Sequence, residues 1–170
     1  MRSDGAQERS TMKTFALLFF LLTAGSFVTA QTPASAAGTL TVNGKTFTLS
    51  HVRALEWPDP FDDTKKIIRV VLSDAAVSDN ALASSDTLED LILAEKVHAI
   101  EFTFTSEGET FGGELYYDMM SHGFTHGSFN FEKKVFDSKT VSGKVSTQPV
   151  SKSAEMQFKC AVTFTAAIER

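Results

Sequence analysis

Residues 156–168 carry the pattern that most constrains the fold of this chain. From Met156 to Ile168 every second residue is apolar or small, and mostly polar residues stand between them. Because side chains alternate between the two faces of a strand, this pattern predicts one long β-strand with a buried face. It also places Cys160, the sole cysteine, in the middle of the apolar row. We therefore interpret Cys160 as a small buried hydrophobic residue and not as a nucleophile.

A β-hairpin is predicted around Asn43-Gly44, which lies between two alternating runs. Both residue types tolerate the positive φ angles of a type I′ turn. A two-residue loop places Leu40 opposite Phe47 and Thr39 opposite Thr48, so that apolar residues pair with apolar residues and polar residues with polar residues. The agreement in register supports the hairpin.

Further strands are predicted along the chain. Lys66–Ser73 is rich in β-branched residues and apolar on both faces, as a central strand is. Val97–Thr105 and Thr110–Met119 form a hairpin around a turn that contains Gly108, with Phe111 and Leu115 on one face of the second strand. The remaining predicted strands are His126–Phe136 and Lys139–Ser146.

Together these elements predict a mainly β domain over residues 38–170, preceded by a flexible leader at 31–37. One short helix is predicted at Asp86–Glu95, with Asp86 as its N-cap. The predicted architecture is a single antiparallel β-barrel or half-barrel, because a strand as long as residues 156–168 must curve in so small a domain. A β-sandwich is the close alternative.

Residues 1–30 have the three parts of a secretory signal peptide. Lys13 precedes the apolar run Phe15–Leu22, and Val28-Thr29-Ala30 resembles a cleavage site. The run is much shorter than the ~20 residues that cross a bilayer as a helix. We predict a secreted or periplasmic protein, with either Met1 or Met12 as the initiator.

The charge of the chain argues against a nucleic-acid partner. The formal net charge is −5. The segment 1–30 contributes Arg2, Arg9 and Lys13 against Asp4 and Glu8, so the mature part is one unit more acidic. An acidic surface repels the phosphate backbone. No other apolar stretch is long enough to span a membrane, and no motif predicts a cofactor.

Aromatic residues on the predicted strands are the candidates for ligand binding. Inward-facing rings in a small barrel either line a pocket for an apolar ligand or fill the interior. Trp57 and Phe61 near a loop form a second possible contact patch, unless they pack onto the core. The residues proposed for the pocket are Phe102, Phe104, Phe111, Tyr117, Phe129 and Phe131.

Histidines offer an alternative, because imidazole is a common metal ligand. His122 and His126 lie four residues apart, each followed by glycine, and His98 is a third candidate. A loop that folds back could bring such residues together on one ion. Histidines of this kind also occur in loops that have no site role.

The sequence therefore predicts an exported, non-enzymatic β-domain that binds a small apolar ligand or a partner protein. The alternative is a metal-binding protein or hydrolase that uses the loop of His122 and His126. Glu101 and Glu114 fall on neighbouring predicted strands, where they form either a carboxylate pair or part of a solvated sheet face.

Overall fold

The computed structural model describes residues 33–82, 84, 87, 90–91, 94, 96–118, 120–148, 151–153 and 156–170. All of them belong to the compact unit Gln31–Arg170. The predicted signal peptide and its cleavage site lie outside the described residues. No helix in the described part of the chain is long and apolar enough to cross a membrane.

Within these residues the chain is mainly β, as predicted. The strands are β1 (Ser35–Val42), β2 (Lys45–Leu49), β3 (His51–Asp59), β4 (Asp62–Ser73), β5 (Ala99–Thr105), β6 (Thr110–Tyr117), β7 (Met120–Thr125), β8 (Phe129–Phe136), β9 (Thr140–Thr147), β10 (Ser151–Ser153) and β11 (Met156–Glu169). A single helical turn, α1 (Asp79–Leu82), follows β4, and a 3-10 turn at His126–Ser128 precedes β8.

The strands form one sheet with two halves. The first half has the order β2-β1-β11-β9-β8, and β10 pairs with the start of β11. The second half consists of β3 to β7 in sequence order. All pairs are antiparallel except the link between the halves, where Ile168 and Glu169 pair in parallel with Ala54 and Leu55. Among the described strands β7 and β8 do not pair, so the sheet is open and the predicted barrel closure is not seen.

The first hairpin has the predicted turn and register. Asn43 and Gly44 have φ angles of 47° and 83°, and Leu40 pairs with Phe47. Strand β1 starts earlier than expected, because residues 35–37 of the predicted leader already pair with β11. That pairing gives the start of the domain a fixed place in the sheet.

Strand β11 confirms the alternation seen in the sequence. Its buried positions are Phe158, Cys160, Val162, Phe164 and Ala166. The strand runs unbroken because successive parts of it pair with β10, with β1 and β9, and finally with β3. Burial raises the pKa of the Cys160 thiol to about 12, which keeps this group protonated and unreactive.

The inner faces of the two halves share one apolar core. Aromatic rings contact each other across it, with centroids 4.7 Å apart for Phe102 and Phe129 and 4.6 Å apart for Phe104 and Phe131. At Gly113 a Cβ atom would lie 2.5 Å from the Phe124 ring and 2.2 Å from a backbone oxygen. Only glycine lets the Phe124 ring pack so closely on β6.

The hairpin of β5 and β6 forms as predicted, but one of its residues changes face. Thr103 pairs with Gly112 and Phe104 with Thr110, so Phe111 is the extra residue of a β-bulge. The prediction that Phe111 shares the buried face of Leu115 is therefore wrong. Its ring is 40% exposed and lies on the outer side of the sheet.

Residues between β4 and β5 cover part of the outer face of the second half. Val77, Leu82 and Val97 pack there against Val71. The two ends of this covering segment are held together by Asp74, which accepts hydrogen bonds from the His98 backbone (2.8 Å) and contacts its ring (2.7 Å).

The predicted helix at Asp86–Glu95 falls mostly on residues outside the described part of the chain. Thr87, Asp90 and Leu91, which are described, are helical.

Candidate functional site

A groove of about 670 Å³ lies on the outer face of the second half of the sheet, beside the covering segment. We call it the outer groove. Each strand of this half contributes at least one residue to it, among them Trp57 on β3, Arg69 on β4, Glu101 on β5, Glu114 on β6 and Gly123 on β7. Glu101 pairs with Glu114, and Glu114 pairs with Gly123. Residues opposite each other on paired strands project to the same face, which places these three side by side.

A buried ion pair forms the floor of the outer groove. The Arg69 guanidinium donates two hydrogen bonds of 2.7 Å, one to each carboxylate oxygen of Glu101. The side chains are only 11% and 6% exposed. Burial alone would lower the pKa of Arg69, but the hydrogen bonds and negative charge of Glu101 outweigh it, so this pKa is raised. Both groups are charged, and each compensates the other.

Tyr116 joins the two carboxylates. Its hydroxyl oxygen lies 2.7 Å from Oε2 of Glu114 and 3.2 Å from Oε2 of Glu101. A phenol has one hydrogen, so it donates to the nearer oxygen, that of Glu114. The ring itself is buried under the covering segment. Burial, and then the negative charges of Glu101 and Glu114, raise the pKa of Tyr116, so the phenol remains a neutral donor.

Glu114 differs from Glu101 in having no basic partner among the residues that the structure describes. It is half-buried, and its carboxylate accepts a hydrogen bond from Tyr116. In the described part of the chain it forms no ion pair with Lys or Arg. Among the described residues that line the outer groove there are thus two carboxylates and one guanidinium, which leaves one carboxylate without a basic partner.

Aromatic rings form the rim of the outer groove. The guanidinium carbon of Arg69 lies 5.0 Å from the centroid of the Trp57 ring, which is cation–π distance. Phe111 lies across the groove, and its ring centroid is 6.1 Å from that of Phe61. Phe61 is 84% exposed at the turn between β3 and β4. The rim thus offers flat apolar surfaces above a charged floor.

Of the six aromatic residues predicted to bind a ligand, Phe111 alone lines the outer groove. Phe102, Phe104 and Phe129 are buried in the core, where their rings contact other rings. The other two are Phe131, which packs on the same core from its edge, and Tyr117, whose ring lies 5.8 Å from that of Phe47. The interior rings therefore supply packing.

The three candidate metal ligands are spread over different environments. His98 contacts Asp74 and stacks on Phe47 with the centroids 3.9 Å apart. His122 is half-buried in β7 opposite Leu115, and His126 is exposed in the 3-10 turn. Within the described residues no group of three or more His, Cys, Asp or Glu side chains is placed to hold a metal ion.

Sequence reasoning missed Arg69 and Tyr116. Arg69 is a charged residue within the run 67–72 of β4, which is otherwise apolar on both faces. A charge at such a position needs a partner, because an unpaired buried charge is very costly. Glu101, on the neighbouring strand, was available as that partner, so the signal was present in the sequence.

Comparison with known proteins gives no match for this chain: no protein-family profile, curated protein or solved structure is significantly similar. The arguments for its function therefore come from the outer groove itself.

Proposed function

We propose that this chain is an exported, non-enzymatic β-domain that binds a small ligand in the outer groove. The observation that carries the proposal is the buried pair of Arg69 and Glu101, joined by Tyr116, at the floor of an open groove. Replacing a buried ion pair by well-packed apolar residues is often neutral or stabilising. A polar floor therefore does little for stability, whereas it suits recognition of a polar ligand.

The volume and composition of the outer groove support the same conclusion. Small-molecule sites are concave, ~300–1,000 Å³ in volume, and combine apolar walls with a few polar groups. The groove has about 670 Å³, aromatic rings at its rim and charged groups at its floor. We place the ligand here and not among the interior phenylalanines, which contact one another.

We further propose that the sheet is a half-barrel that is open between β7 and β8. The single core shared by both halves, and the link through the end of β11, support this description over two separate stacked sheets.

For localisation, we propose that the chain is exported and that its signal peptide is cleaved after Ala30. The apolar run and the small residues before Gln31 support it. The intact mass of the protein recovered from the periplasm or medium should correspond to residues 31–170. A cytoplasmic protein that retains residues 1–30 would contradict this part.

A pair of matched glycine variants tests ligand binding in the outer groove. Gly123 is exposed in the groove and Gly127 is exposed outside it, and a Cβ atom at either position would meet nothing within 4 Å. Gly123→Phe should fill the groove, and Gly127→Phe adds the same side chain elsewhere. Both variants should fold, as circular dichroism and melting temperature would show.

Binding can be followed by two readouts. Native mass spectrometry detects molecules that co-purify with the exported protein, and fluorescence of Trp57, the only tryptophan, reports on the groove. Titration with extracts of small molecules should change Trp57 emission in the wild type and in Gly127→Phe, but not in Gly123→Phe. Equal responses in all three proteins, or in none, would overturn the proposal.

A further inference from the structure

We infer that the ligand of the outer groove is a small organic cation, a molecule with an ammonium group, because Glu114, which has no basic partner among the described residues, lines the same groove as the rings of Trp57 and Phe111. This inference rests on the proposed function and specifies the chemistry of the ligand.

The first argument is charge. Both oxygens of Glu101 accept hydrogen bonds from Arg69, so this pair is internally neutral. Glu114 receives a hydrogen bond from the neutral phenol of Tyr116, which orients its carboxylate without cancelling the charge. Arg69 is the basic side chain among the described residues that line the groove. An entering ammonium group would supply the missing positive charge.

The same arrangement disfavours an anion. An incoming carboxylate or phosphate would meet Glu114 directly, and the donors of Arg69 that face Glu101 are already engaged. Like charges at close range in a partly buried groove repel strongly. The floor of the groove therefore selects for positive ligands.

The second argument is the aromatic rim. Cations bind over aromatic faces, and quaternary ammonium groups in particular are held by cages of such rings. Trp57 already contacts one cation, the Arg69 guanidinium. The β-bulge in β6 places Phe111 on the outer face of the sheet, where it lines the groove and is 40% exposed. The apolar part of a small amine would pack on these rings while its charged end reaches Glu114.

The test uses three probes of similar size and different charge: benzylamine, benzyl alcohol and benzoate. Each is titrated into the exported protein while Trp57 fluorescence and backbone amide shifts are recorded. Benzylamine should bind about tenfold or more tighter than either of the other probes, and added NaCl should weaken its binding.

Variants then connect this preference to Glu114. Glu114→Gln keeps an acceptor for the Tyr116 hydroxyl but removes the charge, so benzylamine binding should fall about tenfold and benzyl alcohol binding should hardly change. Glu109→Gln, on an exposed loop residue outside the groove, removes the same net charge and should leave benzylamine binding unaltered.

The outcomes separate this inference from the proposed function. If benzyl alcohol binds as tightly as benzylamine and Gly123→Phe abolishes the binding of both, the inference of a cationic ligand is wrong, but the groove is still a ligand site. Benzylamine that binds equally to wild type and Gly123→Phe would overturn both. The inference of a cationic ligand would also be wrong if the protein does not respond to benzylamine, or if Glu114→Gln binds benzylamine with unchanged affinity.

Discussion

The two faces of strand β5 show how differently the two sides of one sheet are used. On the inner face Phe102 and Phe104 are fully buried among other rings. On the outer face Glu101 is nearly as buried, yet it is charged and bound to Arg69. The inner face gains free energy from removing apolar surface from water. On the outer face, desolvation of the charged groups opposes part of this stabilisation. We infer that these groups have a role other than stabilising the fold.

A similar contrast separates the two ends of the outer face. Near the covering segment this face is apolar, with Val71 and Ala99 under Val77 and Leu82. Towards the β3–β4 turn it opens into the groove. Tyr116 stands at the boundary, because its ring packs in the apolar part and its hydroxyl reaches the carboxylates. The covering segment thus holds the ring of Tyr116 below the polar floor as well as burying part of the outer face.

The largest effect is expected from truncating the inner face. Phe102→Ala should lower the free energy of unfolding by about 4 kcal/mol, since it removes a buried ring and leaves a cavity. Phe111→Ala, on the outer face of the next strand, should change it by less than about 0.5 kcal/mol. Chemical denaturation of both variants measures this difference. Comparable losses would show that the outer rim also belongs to the core.

Removing one charge from the groove floor should have the next largest effect. Arg69→Met leaves Glu101 buried without its partner and should cost about 3 kcal/mol. The double variant Arg69→Met/Glu101→Leu should regain most of that loss, because no charge remains buried. Urea unfolding of the single and double variants provides the measurement. A double variant that stays as unstable as Arg69→Met alone would show that the ion pair stabilises the fold more than apolar residues do.

Two glycines on neighbouring strands should respond differently to the same substitution, because one faces the core and the other faces the groove. Gly113→Ala should cost about 2 kcal/mol, because its Cβ would press on the Phe124 ring and a backbone oxygen. Gly123→Ala, whose Cβ would project into the groove, should be neutral within about 0.5 kcal/mol. Melting temperatures of the two variants are the test. A destabilised Gly123→Ala would mean that the groove is more tightly packed than the structure shows.

The sequence predicted the inner face well, because burial leaves a periodic pattern. The alternation in residues 156–168 gave β11 and its buried row, and Asn43-Gly44 gave the first hairpin with its register. Both depend on local rules, which are the strand period and the geometry of a two-residue turn. The closure of the sheet depends on contacts far apart in sequence, so local patterns did not decide between a closed barrel and an open sheet.

The outer groove could be predicted only in fragments. The sequence pattern predicts Glu101 and Glu114 on neighbouring strands, and it indicates Trp57 and Phe61 as a possible contact patch. Their meeting at one groove depends on the order of β3 to β7 and on the bulge that turns Phe111 outwards. A bulge shifts the register by one residue and moves a side chain to the opposite face. Periodicity alone gives no sign of it.

The smallest predicted effect is a fall in the free energy of unfolding at alkaline pH, caused by the buried thiol of Cys160 on the inner face. The ordinary pKa of a cysteine thiol is 9.0, and burial raises the pKa of Cys160 to about 12. Between these values the unfolded chain loses the proton that the folded chain keeps, so rising pH favours unfolding, and below about pH 9 the thiol has no effect. The free energy of unfolding should fall by about 1 kcal/mol between about pH 9 and pH 10.

The variant Cys160→Ala should lose this part of the pH dependence, whatever its stability at neutral pH. Tyr116→Phe is the matched control from the outer face. An ordinary phenol is half-ionised at about pH 10, so between about pH 9 and pH 10 its removal should take away only about 0.3 kcal/mol of the fall, about a third of the effect of the thiol. Urea unfolding at closely spaced pH values distinguishes the two. A wild-type protein and a Cys160→Ala variant with parallel profiles would mean that the thiol is already ionised, or in contact with water, in the folded state.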